Sequence, residues 1–369
     1  MGRVFVNLGS LKHDGGVMAT PVSLFDYDLP QELIAQHSVE PRDHSRLMLV
    51  DRVTGACEHK RFYEIVDELH SGDVLVMNNT KVFRARLQGT IFRPSLRGGS
   101  LSSTDEAIQL EVFLLRPRQG VWEALVKPGR HVNVGDTVRV GDLEGRILSK
   151  TDIVTIDFVR SDKIVLAYAN EHGQIPIPPY VHETPKTLEQ YQTVYAQETG
   201  SVAAPTAGFH FTEELLDRIR AKGVEVQYVT LHVGLGTFRP MKSDTLEEHQ
   251  MHSEFVTIDS NTAQAINRAK QEGRRVIAVG TTTVRTLEGV AGLHHGHIEP
   301  FTGDVNLFIT PGFDFRVVDS LITNFHLPKS TLLVLVSAFA GREHMLASYQ
   351  EAVREHYRFF SFGDAMFIQ

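Results

Sequence analysis

Four histidines follow or precede apolar runs at loop positions: His210, His232, His252 and His326. An imidazole at such a point can move a proton or orient a ligand near neutral pH. The first closes the stretch Ala203-Ala204-Pro205-Thr206-Ala207-Gly208-Phe209-His210-Phe211, a loop with so little bulk that its backbone can approach a ligand closely. The second opens His232-Val233-Gly234-Leu235-Gly236-Thr237-Phe238, whose glycines fit a similar approach but lack the third glycine of a dinucleotide fingerprint. Asn78-Asn79-Thr80 follows one apolar run, Gly280-Thr281-Thr282-Thr283 another, and Thr323-Asn324 immediately precedes Phe325-His326. Amides and hydroxyls of this kind hold sugar hydroxyls or base edges. There is no HExxH, and the histidine spacings are irregular, so no metal site is expected.

The elements that must carry these groups are legible as alternating strands and helices. Short helices are expected near 31–36 and 62–69, with an apolar strand over Leu47–Val50 between them. Val74–Met77 is a continuous apolar run, the mark of a strand covered on both faces. After the barrel-like region described below, a helix begins at Ile164–Tyr168. Gln174–Tyr180, with its prolines, makes an extended crossover, and a helix is expected within Leu188–Gln197. Thr212 is placed to cap a helix over 213–222 that Gly223 ends. Strands follow at 224–231, 255–258, 275–279 and 319–322, with helices at 261–271 and from Thr281 through Arg285, and an apolar stretch at 331–339. The unit Val276–Val279, Gly280, Thr281 offers backbone N–H groups at a helix N-terminus, suited to an anion or a ribose. The tail 357–366 is too aromatic and glycine-marked to be a loose end.

Between these halves the pattern changes. Ala85–Phe92, Ile108–Leu115, Val121–Val126, Thr137–Val140, Arg146–Leu148 and Ile153–Phe158 are short, alternating and separated by Gly- and Pro-containing turns, as in a small antiparallel barrel. The fold class expected is therefore an α/β domain with an inserted small antiparallel β-barrel: 1–20 an N-terminal extension, 21–81 plus 161–369 the α/β catalytic domain, 82–160 the barrel. Residues 81–150 hold 12 Lys and Arg against 7 Asp and Glu, although the chain carries −8 overall. A basic module on an acidic body fits a phosphate-backbone footprint, the alternative being a solvated face of a small domain.

Composition excludes several classes. One cysteine, Cys57, forms no internal disulfide framework. No apolar run reaches the roughly 18 residues of a membrane span, and residues 1–20 lack the apolar core of a secretory signal. A cytoplasmic location without membrane partners is expected.

Taken together, the loops resemble one family. Tyr191–Tyr195, Ala203–Phe211, Val229–Pro240, Met251–Glu254, Val276–Arg285, Thr323–Pro328, Ser337–Gly341 and Tyr357–Phe367, with Gly72–Leu87, are similar to the S-adenosylmethionine:tRNA ribosyltransferase-isomerases of queuosine biosynthesis. The resemblance runs from about Phe25 to the C-terminus. It implies transfer and isomerisation of the ribosyl part of S-adenosylmethionine onto 7-aminomethyl-7-deazaguanine at the tRNA wobble position. The product would be epoxyqueuosine-tRNA, with adenine and methionine released. It implies S-adenosylmethionine as co-substrate, no metal or other cofactor, and tRNA as partner; a monomer or weak homo-oligomer is expected. The sulfonium acidifies the neighbouring C5′ hydrogens, the attacking amine must be neutral, and departing adenine benefits from a proton. His210, His232, His252 and His326 are the candidates for these transfers. Asn78, Asn79, Thr80, Tyr195, Pro205, Thr206, Ala207, Gly208, Gly234, Gly236, Thr237, Thr281, Thr282 and Asn324 are candidate substrate contacts. Arg84, Arg86 and Arg285 are candidates for tRNA phosphates or the methionine carboxylate.

Two other readings compete. A methyltransferase would use the same co-substrate, but the chain lacks a Gly-rich strand-to-helix loop near its start followed by an acidic residue after the next strand. A non-catalytic RNA-binding barrel would not need polar groups at so many strand ends outside the barrel. If the basic insert faces RNA, reversing Arg84, Arg86 and Arg97 together weakens tRNA binding and flattens its salt dependence in titrations over a range of ionic strength. An unchanged slope would remove the barrel from that role.

Overall fold

The structure is a computed structural model, and it describes residues 19–92, 107–118, 120–183, 185–234, 241–251 and 253–369. In chain order the strands are β1 Arg46–Val50, β2 Cys57–Arg61, β3 Val74–Asn78, β4 Thr80–Val82, β5 Arg86–Phe92, β6 Ile108–Arg118, β7 Val121–Lys127, β8 Thr137–Val140, β9 Leu143–Lys150 and β10 Val154–Asp157. They continue with β11 Glu198–Ser201, β12 Glu225–His232, β13 Glu254–Ile258, β14 Val276–Val279, β15 Phe301–Val305, β16 Ser320–Asn324 and β17 Ala365–Ile368. The helices are α1 Ile65–Glu68, α2 Asp162–His172, α3 Glu213–Ala221, α4 Ser260–Gln271, α5 Thr281–Leu293, α6 Thr331–Ala340 and α7 Arg342–Arg354.

Nine strands make one mixed sheet in the order β15-β13-β12-β3-β14-β16-β17-β1-β2. Its centre, β12-β3-β14-β16, is parallel. Side chains alternate across a strand, so Val74 and Val76 join one core with Val276, Ala278 and Leu321, under Val284 and Leu287 of α5. Leu75 and Met77 join the other with Ile277, Val279 and Ile322, under Leu215, Leu216 and Ile219 of α3. Both faces being covered, polar side chains in β3, β14 and β16 are confined to the strand ends. Thr212 caps α3, its hydroxyl accepting from the Leu215 N–H at 3.1 Å.

β5 to β10 close into a six-stranded barrel, β10-β7-β6-β5-β8-β9. Leu87, Ile91, Val112, Trp122, Val138, Ile147 and Ile156 alternate into its interior. Arg116 on β6 joins this barrel to the sheet edge, meeting Glu123 and Asp304 of β15, each at 2.9 Å.

The tertiary structure alters several expectations. The helix expected within 188–197 is a single turn, Leu188–Tyr191. Beyond it the Gln192 amide pairs with the Val82 backbone, accepting at 3.1 Å and donating at 2.7 Å, which holds the chain extended beside β4. The helix expected at 31–36 is likewise one turn, Gln31–Leu33. At 62–69 a turn over Phe62–Glu64 runs into the short α1. The sequence reading has no counterpart for the polar edge strand β2 or for β4, β11, β15 and α7.

The aromatic tail does more than pack. β17 lies between β16 and β1, antiparallel to one and parallel to the other, with all four residues fully buried. Phe367→Ala should therefore cost about 3–5 kcal/mol, read as the midpoint shift in urea unfolding, whereas a change at exposed Val159 should cost little.

Candidate active site

The carboxyl ends of parallel strands are where open α/β sheets receive ligands, and here they meet a cleft. Its walls are Ala204–Ala207, Val233, Gly280–Thr282, Thr323–Asn324, His326, Leu332, Phe360 and Ser361. It holds about 450 Å³ of space, counting the part open to solvent. The floor is the N-terminus of α5. Gly280 caps that helix at φ +85, and a Cβ there would stand 3.4 Å from the Ala207 methyl. This position favours glycine for its positive-φ backbone; a Cβ there would meet Ala207 only at ordinary contact distance. At Gly208 a Cβ would collide with the Tyr195 hydroxyl, so Tyr195 supports the loop from outside the cleft walls.

Asn78 pins the site together. Its Oδ1 accepts from the N–H groups of Thr80 at 3.1 Å and Leu231 at 3.0 Å. Its Nδ2 donates to the Leu231 carbonyl at 3.1 Å and to the Thr282 hydroxyl at 3.3 Å. Asn79 accepts from Thr230 at 2.7 Å. The Asn78 amide is thus spent on the frame and Asn79 Oδ1 is engaged there too; neither residue is a cleft wall, and the cleft itself is lined by Thr281, Thr282 and Asn324.

The histidines divide. His326 lines the cleft, with Thr323 at 3.2 Å from Nε2 and Tyr349 at 3.1 Å from Nδ1. His210 lies one side chain behind it. The Asn324 amide donates to His210 Nε2 at 3.1 Å, so the proton sits on Nδ1, 2.7 Å from Ser45. Asn324 in turn accepts from Thr206 at 3.4 Å. His232, half-buried and beside Phe255, meets the Thr80 hydroxyl at 2.8 Å and is not a cleft wall. Burial pushes all three imidazoles down. His210 falls to about 3, with Arg358 and Arg42 adding repulsion, and His326 to about 3 by burial alone. His232 falls to about 4, by burial and then Arg116. His252, Gly236 and Thr237 lie outside the described residues, as do Arg93 and Arg97; Gly234 is described and is not a wall.

The arginines are engaged elsewhere. Arg285 is buried against Glu254 and donates to the Leu307 carbonyl at 3.2 Å. Arg86 pairs with Glu111 at 3.0 Å, and Arg84 reaches the Gly173 carbonyl at 3.5 Å. The candidate contacts did not include Ala204, Val233, Gly280, Thr323, Leu332, Phe360 and Ser361, all of which are walls. The tail's aromatic, glycine-marked pattern pointed toward Phe360 and Ser361, and Thr323 stood in the Thr323–Pro328 string, but an apolar run gives no signal that Leu332 turns to a cleft. Among the described residues no three His, Cys, Asp or Glu side chains are grouped to hold a metal ion, and no helix is long and apolar enough to cross a membrane.

A family profile described as "Queuosine biosynthesis protein" matches residues 22–368. The chain belongs to this family. A relative from Heliobacterium modesticaldum (strain ATCC 51547 / Ice1) bears the name S-adenosylmethionine:tRNA ribosyltransferase-isomerase. It is 51% identical over 358 residues, covering 94% of this chain and 99% of its own length. The crystal structure of S-adenosylmethionine tRNA ribosyltransferase from Thermotoga maritima aligns with a TM-score of 0.54 at 38% identity, over 94% of this chain and 100% of that one. The α/β sheet and barrel are thus the architecture of a queuosine biosynthesis protein.

The depressed basicities predict an acid-sensitive fold. An unfolded histidine titrates near about 6.5, so on acidification the unfolded chain takes up protons before the folded one does. Stability from neutral His210 and His326 is whole above about pH 6.5 and is lost as pH falls toward about 3. Between about pH 6.5 and pH 5 each costs up to about 2 kcal/mol. Urea midpoints across that range should fall less steeply in His210→Gln than in the unaltered chain.

Proposed function

We propose that this chain is an S-adenosylmethionine:tRNA ribosyltransferase-isomerase. It moves the ribosyl part of S-adenosylmethionine onto 7-aminomethyl-7-deazaguanine at the tRNA wobble position and isomerises it to the epoxycyclopentanediol of epoxyqueuosine. Adenine and methionine leave. The observation that carries the reading is the 51% identity across 99% of a relative bearing that name. The cleft supports it chemically. A floor of threonine hydroxyls at the N-terminus of α5 suits ribose hydroxyls or a carboxylate, and the Ala204–Ala207 wall brings no long side chain into the cleft.

The roles we assign follow from basicity. A cationic sulfonium beside His326 disfavours its imidazolium further, so His326 and His210 serve as neutral hydrogen-bonding groups. His232, the least depressed of the three although outside the cleft walls, and His252 are kept as the candidates for proton transfer. Thr206, Thr281, Thr282 and Asn324 contact the nucleoside, and Pro205, Ala207 and Gly208 shape its wall. Arg84, with Arg86 at the barrel mouth, meets tRNA phosphates, while Arg285 orders the α5 helix through Glu254. The reaction as written needs no metal or other cofactor. The protein works in the cytoplasm, as a monomer or weak homo-oligomer.

The test is incubation with S-adenosylmethionine and tRNA bearing 7-aminomethyl-7-deazaguanine, followed by chromatography of the small molecules. Adenine and methionine should appear together and only with the modified tRNA. Adenosylhomocysteine would indicate methyl transfer instead, and tRNA binding without turnover would indicate a binding module.

A further inference from the structure

His326 is held by two tyrosines from outside the cleft. The Tyr27 hydroxyl donates to its backbone carbonyl. The Tyr349 hydroxyl accepts from its backbone N–H at 3.0 Å and lies 3.1 Å from its own Nδ1. Tyr349, on α7, is fully buried. A phenol has one proton and two lone pairs, and the backbone N–H takes one lone pair because an amide can only donate. The Tyr349 hydroxyl makes no other hydrogen bond among the described residues, so its proton has Nδ1 as its acceptor. The opposite arrangement would strand a hydroxyl proton at a fully buried site, which is costly.

The consequence runs across the ring. With Nδ1 accepting, the imidazole proton is on Nε2, and Nε2–H donates to Thr323 Oγ1 at 3.2 Å. Thr323 makes no other side-chain hydrogen bond among the described residues, and it is a cleft wall. Its hydroxyl proton is therefore left for whatever fills the cleft. The backbone amide at one end fixes the direction of the whole chain of hydrogen bonds, and each link polarises the next.

We propose that Tyr349 is a positioning residue that holds His326 as its Nε2–H tautomer and thereby turns the Thr323 hydroxyl into a hydrogen-bond donor toward the nucleoside of the bound co-substrate. This rests on reading the cleft as the S-adenosylmethionine site. As the bond from ribose to adenine breaks, its electron pair stays with the base, and charge grows on the ring nitrogens. A donor already aimed at such an acceptor helps more in the transition state than in the ground state. No proton need leave the chain of hydrogen bonds for this effect.

The test pairs a spectroscopic with a kinetic reading. In the ligand-free, ¹⁵N-histidine-labelled protein near neutral pH, long-range ¹H–¹⁵N correlations should give His326 as the Nε2–H tautomer, its signals identified by their loss in His326→Gln. Tyr349→Phe should shift it toward Nδ1–H or a mixture, and Thr323→Val should leave it unchanged. Both variants should lower kcat for adenine release on the order of tenfold, the effect of about one hydrogen bond, with a smaller change in KM. An Nδ1–H tautomer in the unaltered protein, or the same tautomer in Tyr349→Phe, would overturn the proposal. So would an unchanged kcat in Thr323→Val, a variant whose folding does not depend on Tyr349. If the unaltered protein released no adenine, the proposed function would fall, while the tautomer measurement would still decide whether Tyr349 sets His326.

Discussion

One buried side chain ties the site to the sheet. Asn78 ends β3 fully buried, and its amide makes two hydrogen bonds as acceptor and two as donor. That uses the whole hydrogen-bonding capacity of an asparagine. The bonds fix β12 alongside β3, start β4 in the correct direction and hold the first turn of α5 against the strand end. An unpaired amide at this depth would be costly, so the three elements are ordered together or not at all. The cleft inherits its dimensions from that junction.

From this point the division of labour is electrostatic. The cleft contains hydroxyls, an amide and a neutral imidazole, and it has no carboxylate or guanidinium among its walls. The charged groups nearby are spent on one another or on backbone: Arg285 on Glu254, Arg116 on Glu123 and Asp304, Arg42 on the Gln192 carbonyl at 2.6 Å. On the proposed reading, a cationic co-substrate entering such a site would meet dipoles already oriented by the fold, which need no rearrangement as charge moves during reaction. The low basicity of His210 and His326 belongs to the same design. A histidine that stays neutral keeps one nitrogen as donor and one as acceptor, and its neighbours decide which is which.

The tail shows how remote segments serve this arrangement. β17 completes the sheet between β16 and β1, and the turn before it brings Phe360 and Ser361 to the cleft. Asp364, buried by the same turn, accepts from the N–H groups of Arg46 at 2.8 Å and Arg358 at 2.7 Å. The C-terminal residues therefore order both the strand that carries Asn324 and the wall that faces it.

The amino-acid sequence by itself determined the two-part architecture. Covered strands must be apolar on both faces, and barrel strands must alternate, so Val74–Met77, Val276–Val279 and Ile108–Leu115 announce their surroundings through local pattern alone. It also marked the strand-end loops, because small residues, glycines and hydroxyls there have no packing reason to cluster. What only the tertiary structure decided is which of those groups face the cleft. Asn78 carries the same amide as Asn324, and Arg285 a charge that could have met a ligand, yet their partners lie on strands or helices far away in the chain, and hydrogen bonds to those partners spend them. The edge strands β2 and β15 were illegible for a related reason: their polar residues face solvent, and pairing with a neighbour makes them strands. The tautomer of His326 is the extreme case, set by a tyrosine 23 residues away through the direction of a single proton.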